Sequence, residues 1–347
     1  MSIESLLQNW AGEEVIVRYD RTTGAWIFIA IHSTRLGPAA GGTRMMTYPD
    51  AHAALQDAMN LSEGMTYKWA LSEMPFGGGK TVISIPSDMA SAERTGLLCR
   101  YAGLVNQLGG LFSTGPDVGT SPADMDVMAE VADRYVFART STAGGSGLYT
   151  AYGVLAAIQT TAEHLFGDAG VADRRVLVQG AGGVGGHLIR LLKAEGAEVA
   201  FSEVDTHLIQ RYRDDEGLTF VPVDRVFDTT CDIFSPCALG GVLNSETIPR
   251  MPARAVVGAA NNQLATEEDA ARLSQRGILY APDFVVNCGG AVGVTGIEGL
   301  GWPPDEAREK IIRTVRKNLR YVFEAAQESS ITSEAAAMQL VQQRLGA

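Results

Sequence analysis

The chain has little cysteine, little histidine and a shortage of positive charge, and each scarcity narrows what it can be. Its cysteines, Cys99, Cys231, Cys237 and Cys288, form no CxxC pair, and none stands at metal-ligand spacing from a histidine. Buried free thiols are expected, and no metal site. The five histidines are scattered, with no HExxH run and no partner for a serine nucleophile, which argues against zinc hydrolysis and Ser-His-Asp chemistry. No apolar run approaches the length of a membrane span, and the opening MSIESLLQNWAGEE has no basic stretch before an apolar one. The chain therefore reads as cytoplasmic, without a membrane partner. Lys and Arg total 28 against 40 Asp and Glu, and the formal charge of -12 disfavours nucleic acid as well. Small charged metabolites stay open, since a local basic site can sit in an acidic protein.

What is present is enough for two globular domains: 347 residues, 46% hydrophobic and 20% charged. The stretch MPFGGGKTVISI, 74–85, ends like a phosphate-binding loop. Such a loop needs a glycine five positions before the one that precedes its lysine, and it must open a helix. Position 74 is Met74, and Thr81-Val82-Ile83-Ser84-Ile85 after Lys80 is β-branched strand sequence. The triphosphatase reading fails, leaving a lysine delivered by glycines that let the backbone approach something closely.

Alternation in EEVIVRYDRTTGAWIFIAIHST predicts a hairpin turning at Asp20–Gly24, with Val15, Val17, Ile27 and Ile29 available to bury. Helical spacing follows Pro49-Asp50, which supplies a cap. A strand from Thr81, a helix over about 92–108 and a Gly/Pro loop carrying Asp117 complete a first α/β unit. TSTAGGSG, 140–147, is the least structured stretch by composition and the expected hinge. Beyond it, RRVLVQGAGGVGGHLIRLLKAEGAEVAFSEVD reads strand, glycine turn, helix, strand. Gly180, Gly182 and Gly185 fit G-x-G-x-x-G directly after a strand, with Gly183 and Val184 inside the turn, and Glu203 ends the next strand, before Val204, where a carboxylate meets adenosine ribose hydroxyls. Further apolar runs between helical segments suit a parallel sheet. The helix after Pro304 presents Ile311, Val315, Leu319 and Val322 on one face. The expected fold is thus α/β in two domains, the second a Rossmann-type dinucleotide-binding domain. Beside it, Lys68, Lys80 and Asp117 are the acid-base candidates.

LGPAAGGTR, GMTYKWALSEMPFGGGKTVI, TGPDVGTSPADMD, PCALGG, GAANNQL and ILYAPDFVVNCGG resemble, in order and over nearly the whole chain, the dehydrogenases that act on glutamate, leucine, valine and phenylalanine. The resemblance implies two domains with a cleft between them: 1–139 for substrate and catalysis, joined by C-terminal helices at about 325–347, and 145–324 for the dinucleotide. It implies Lys68 on the substrate carboxylate, Lys80 as base, Asp117 at the substrate amine, and Asn261 and Gly42 at the substrate. NAD would be held by the glycine turn with Arg44, Thr150, Ala238, Leu239, Ala260, Asn262 and Asn287. Glutamate-specific relatives carry a lysine where Ala40 stands, so an apolar side chain is expected near Leu36, Ala40, Met65 and Val292. TGPDV and NCGGAVGVTGIEGLGW look most like phenylalanine dehydrogenases, whereas CALGGVLN and GAANNQL also suit leucine, valine and tryptophan enzymes. Phenylalanine is the expected substrate and a homo-oligomer the expected assembly. Cys288 stands where relatives usually carry alanine, with little effect expected. Two rivals remain at this point: a shikimate-type alcohol dehydrogenase, and a catalytically silent ligand-binding paralogue.

Overall fold

A computed structural model describes residues 3–141 and 145–346. The chain divides into two compact units: Met1–Gly145 with Val294–Trp302, and Ser146–Gly293 with Pro303–Ala347. Of the expected hinge, residues 142–144 lie outside the described residues.

The first unit opens with α1 (Ile3–Asn9) and the hairpin β1 (Glu14–Asp20) and β2 (Ala25–Ser33), closed where Gly24 takes a φ of 73° and donates to the Asp20 carbonyl. Then come β3 (Ala39–Met46), α2 (Ala51–Ser72), β4 (Gly77–Ser84), α3 (Arg94–Gln107), β5 (Phe112–Pro116) and α4 (Pro122–Ala132). The sheet runs β1-β2-β4-β3-β5; β1 and β4 lie antiparallel to β2, while β3 is parallel to β4 and β5. Asp50 caps α2 by accepting from the Ala53 amide. Register corrects one expectation. Val17 pairs opposite Phe28 and Ile16 opposite Ile29, so Val17 and Ile27 point to opposite faces. Ile27 and Ile29 are buried with α3 and α4, whereas Val17 is 49% exposed.

The second unit begins with α5 (Gly147–Phe166), then β6 (Arg175–Gln179), α6 (Gly185–Ala194), β7 (Glu198–Ser202), α7 (Thr206–Gln210), β8 (Thr219–Phe220), β9 (Ile233–Pro236), β10 (Ala255–Val256), α8 (Glu268–Gln275), β11 (Leu279–Tyr280) and α9 (Asp283–Val286). Helix α10 (Gly289–Leu300) carries the chain back into the first unit, and α11 (Pro304–Ser329) and α12 (Ser333–Leu345) end it. The sheet is wholly parallel in the order β11-β10-β9-β6-β7-β8. Its winding reverses between β6 and β9, the point at which open α/β sheets bind ligands beyond their strand ends.

Two boundaries differ from the sequence reading. Residues 325–347 belong to the second unit, where α12 donates from Ser333 Oγ to the Tyr280 carbonyl and buries Ala336, Ala337, Leu340 and Val341. Val294–Trp302 belongs to the first unit, where the Glu298 carboxylate accepts from the Ala138 amide at 2.8 Å. Both segments follow their packing, which sequence order does not reveal.

Candidate active site

Strand alternation builds the first constellation. On β4, Gly78, Lys80 and Val82 share one face; on β3, in register beside them, stand Ala40, Gly42 and Arg44. Helix α2 covers this face, and Gly78 makes the cover possible. A Cβ at Gly78 would lie 2.4 Å from the Thr66 amide nitrogen and 2.0 Å from its hydroxyl. The glycine run before Lys80 thus lets the protein's own helix approach the strand, and Lys80 sits inside β4 rather than in a loop.

Lys80 is buried, and its Nζ lies 3.3 Å from Oδ2 of Asp117, which follows the end of β5. Arg44 Nε donates to the same oxygen at 2.8 Å, while its Nη1 donates to Asp57 on α2 at 3.0 Å. Gly42 lies beneath: a Cβ there would come 3.0 Å from Asp117 Cβ and 3.3 Å from Lys80 Nζ. Burial pushes the Lys80 amine down further than the Asp117 carboxylate can raise it. Burial pushes the Asp117 carboxyl up, but the charges of Lys80 and Arg44 outweigh it and hold Asp117 at about 2. The result is a lysine biased toward its neutral, basic form beside an aspartate that stays ionised, as general base catalysis requires. Arg44, expected at the cofactor, takes part in this constellation of the first unit. Met65 Cγ lies 3.2 Å from a Cβ built on Gly41, and Trp69 Nε1 donates to the Ala40 carbonyl at 2.8 Å. Ala40 and Met65 are buried and Leu36 half-buried. Lys68, half-buried, stands on α2 three residues after Met65, on the same side of the helix.

Sequence reasoning missed two supports. Asp57 and Tyr48, whose hydroxyl donates to Asp57, carried no motif. On the opposite face, Thr43 Oγ1 meets Tyr101 Oη and Thr114 Oγ1 at 2.8 and 2.7 Å, and Tyr101 donates to Thr81 at 2.7 Å. This buried network ties β3, β4 and β5 together beneath the charged groups.

The second constellation gathers at the strand ends of the second unit. Gly180 follows β6, Glu203 and Val204 follow β7, Ala238 and Leu239 follow β9, and Ala260, Asn261 and Asn262 follow β10. A Cβ on Gly185 would meet the Gly180 carbonyl oxygen at 1.9 Å, so the turn closes only with glycine there, while Gly182 and Gly183 are exposed with nothing within 4 Å of an added Cβ. Val184 immediately precedes the helix. Glu203 Oε2 accepts from the Ala181 amide at 2.7 Å and Oε1 from the Val204 amide at 2.7 Å. Asn287 Nδ2 donates to the Ala259 carbonyl and to Asn261 Oδ1, both at 3.1 Å, leaving its buried Oδ1 unspent. Asn262 takes a φ of 51°, with its amide donating to Asp283. Thr150, buried in the first turn of α5, donates to the Ser146 carbonyl. Val292 is buried and belongs to this unit, whereas Ala40 belongs to the first. An open glycine turn at a helix start, a carboxylate ending the second strand and an unspent buried acceptor fit a dinucleotide.

Residues 15–134 match the Glu/Leu/Phe/Val dehydrogenase dimerisation domain, and residues 199–346 match the glutamate/leucine/phenylalanine/valine dehydrogenase model. The chain belongs to the glutamate/leucine/phenylalanine/valine dehydrogenase family. It is an NAD-dependent amino acid dehydrogenase. Among relatives of this amino acid dehydrogenase, the leucine dehydrogenase of Thermoactinomyces intermedius is 37% identical over 348 residues, spanning 99% of this chain and 94% of that one. The valine dehydrogenase of Streptomyces albus is 40% identical over 339 residues, spanning 96% and 92%. Among solved structures, the L-tryptophan dehydrogenase from Nostoc punctiforme superposes with a TM-score of 0.83 at 35% identity, spanning 99% and 98%. Family membership removes the shikimate-type alternative.

Proposed function

We propose that this dehydrogenase catalyses the reversible oxidative deamination of an L-amino acid with an apolar branched side chain, leucine or valine, to the 2-oxo acid, ammonia and NADH. The observation that carries the reading is the wall beside Lys80 and Asp117: buried Ala40, Met65 against Gly41, and Trp69 closed on the Ala40 carbonyl. No charge is offered at Ala40, and a distal carboxylate buried there without a partner would bind at a heavy cost. The expected preference for phenylalanine finds no support, because the relatives named above act, by their names, on leucine, valine and tryptophan. The likeness to the tryptophan enzyme over nearly the full length of both chains supports tryptophan as the second reading.

In this scheme Lys68 pairs with the substrate carboxylate, and the ionised Asp117 receives the substrate ammonium. NAD, when bound, supplies the hydride acceptor. The Lys80 amine, biased toward its neutral form by burial, takes a proton from the water that attacks the imino carbon. Glu203 holds the adenosine ribose hydroxyls, and Asn261, Asn262 and Asn287 orient the reacting end. Absorbance at the reduced-nicotinamide band with a panel of L-amino acids, each with NAD and NADP, tests the scheme. Highest catalytic efficiency with leucine or valine is expected, together with ammonium dependence of the reverse reaction. Highest efficiency with phenylalanine or glutamate would overturn the substrate assignment.

The same reading includes self-association through the first unit. Among the described residues, strand β1 pairs only with β2, and Val17, Tyr19 and Trp26 are exposed on the same hairpin. Light scattering is expected to report an oligomer, and Tyr19→Lys to lower its mass; a wild-type monomer would refute it.

A further inference from the structure

The Lys80–Asp117 pair leaves one arrangement unexplained. Arg44 could neutralise Asp117 fully by presenting two nitrogens to it, yet it presents only Nε, at 2.8 Å. Its Nη1 is turned to Asp57, donating to Oδ2 at 3.0 Å and Oδ1 at 3.4 Å. Asp57 is fixed in turn by the Tyr48 hydroxyl, which donates to Oδ2 at 2.5 Å. Acids and bases therefore alternate through successive contacts: Asp57, Arg44, Asp117, Lys80. The Arg44 and Asp117 side chains are only 16% and 17% exposed, so these charges act on one another with little screening.

We propose that Asp57, held by Tyr48, is a positioning residue that draws the Arg44 charge away from Asp117, keeping Asp117 an available anion for the substrate nitrogen and setting the ionisation of Lys80. The inference rests on the deamination scheme above. Among the described residues, the charged groups that act on Lys80 most strongly are Asp117 from the loop after β5, Arg44 from β3 and Asp57 from α2; the two acids favour its charged form and the arginine opposes it. Loss of the Asp57 charge acts twice. Arg44 becomes free to turn both nitrogens onto Asp117, blunting its attraction for the substrate ammonium. Lys80 also loses a distant anion and gives up its proton at lower pH. Deamination requires neutral Lys80, so its rate rises as pH climbs through the Lys80 pKa, and that rising limb should move to lower pH.

The experiment compares wild type, Asp57→Asn, Asp57→Glu and Tyr48→Phe, measuring kcat/KM against pH for the best amino acid of the panel. NADH titration and thermal unfolding are measured alongside. Asp57→Asn is expected to lower kcat/KM at the wild-type optimum by roughly tenfold or more, as misplaced catalytic groups do. Its rising limb should shift down by about half a pH unit or more, as for loss of a nearby charge. Tyr48→Phe should shift it less in the same direction, and Asp57→Glu should restore the limb. NADH affinity should be unchanged in all. A limb that stays at its wild-type pH in Asp57→Asn, whatever happens to the rate or melting temperature, overturns the positioning role. Absence of amino acid oxidation in wild type would sink the deamination scheme instead, a separate result.

Discussion

Glycine does opposite work in the two units. In the first, a side chain at Gly78 would strike the backbone of α2, and one at Gly41 would lie 1.8 Å from the Gly79 carbonyl oxygen. In the second, Gly182 and Gly183 face open space. The first unit spends its glycines on bringing its own layers together, so that charged side chains can be buried between sheet and helix. The second closes its turn with Gly185 but leaves backbone bare at Gly182 and Gly183 for something that is not protein. Chemistry follows the same division: side-chain charges shielded from water in one unit, backbone groups and strand ends in the other. Removing a charge from the first should therefore stop turnover without touching the cofactor, and altering the second should do the reverse.

The largest expected effect follows directly. Lys80→Ala should lower kcat by about a thousandfold or more, since it removes the proposed base. NADH titration should give an unchanged affinity, because Lys80 belongs to the first unit and the glycine turn to the second. Retained turnover would take Lys80 out of the mechanism, and loss of both properties would mean a folding defect.

Next comes a pair of alanine substitutions that sets the glycines against each other. Gly78→Ala should destabilise the fold by about 3 kcal/mol, read as a lowered denaturation midpoint, because the methyl group meets backbone that cannot yield cheaply. Gly182→Ala should leave the midpoint within about 0.5 kcal/mol of wild type while weakening NADH binding. Equal midpoints for the two would end the distinction.

How much of this the sequence disclosed depends on the kind of constraint. The dinucleotide unit is written in spacing: a strand, Gly180, Gly182, Gly185 and then Glu203 are local, and local patterns survive without knowledge of the fold. The charged cluster is not local. Lys80, Asp117, Arg44 and Asp57 come from four elements, and only register and layer packing bring them together. Lys68 and Lys80 were legible through resemblance, and a plainer signal existed, since they are the only lysines before Lys193. Asp57 lay in an ordinary amphipathic helix and gave no sign. Nor could composition show that 325–347 would pack on the second unit, because both units offer apolar faces.

Cofactor choice sharpens the second half of the comparison. A carboxylate at Glu203 meets a ribose phosphate of charge near -2 at close range in NADP, and unit charges about 4 Å apart at a dielectric of about 20 repel by about 4 kcal/mol. The structure limits escape: Ala181, Val204 and Asp205 amides all donate to this carboxylate, and Arg211 is turned to Glu216 at 3.5 Å. NAD should be favoured over NADP in kcat/KM by about a hundredfold or more. Glu203→Ser should shrink that ratio, at some loss with NAD since the turn loses a support. An unchanged ratio would remove Glu203 from cofactor selection.

The smallest expected effect asks whether burial of charge, rather than the active site alone, is what separates the units. Asp20 in the first unit is 5% exposed; Arg100 Nε donates to it at 2.5 Å, and the Thr23 amide and hydroxyl donate at 3.0 and 2.9 Å. The Arg100 guanidinium, against the upward push of burial, holds this carboxyl at about 2, below its usual 3.8. A folded-state pKa below the unfolded one means that the folded protein binds fewer protons in this range. The stabilisation is therefore complete above about pH 4 and is lost as pH falls toward 2. Because the Arg100 side chain is 39% exposed, screening reduces the gain to about 1 kcal/mol. Asp228 and Arg250 form the matching pair in the second unit at 2.7 Å, but their side chains are 41% and 45% exposed. Thermal unfolding at pH 7 should show a lowered melting temperature for Asp20→Asn and none for Asp228→Asn. At pH 2.5 the Asp20→Asn deficit should narrow, because wild type has by then lost much of the same stabilisation. Equal deficits for the two variants at pH 7 would show that ion pairs are worth the same in both units, and the contrast between them would then rest on the glycines alone.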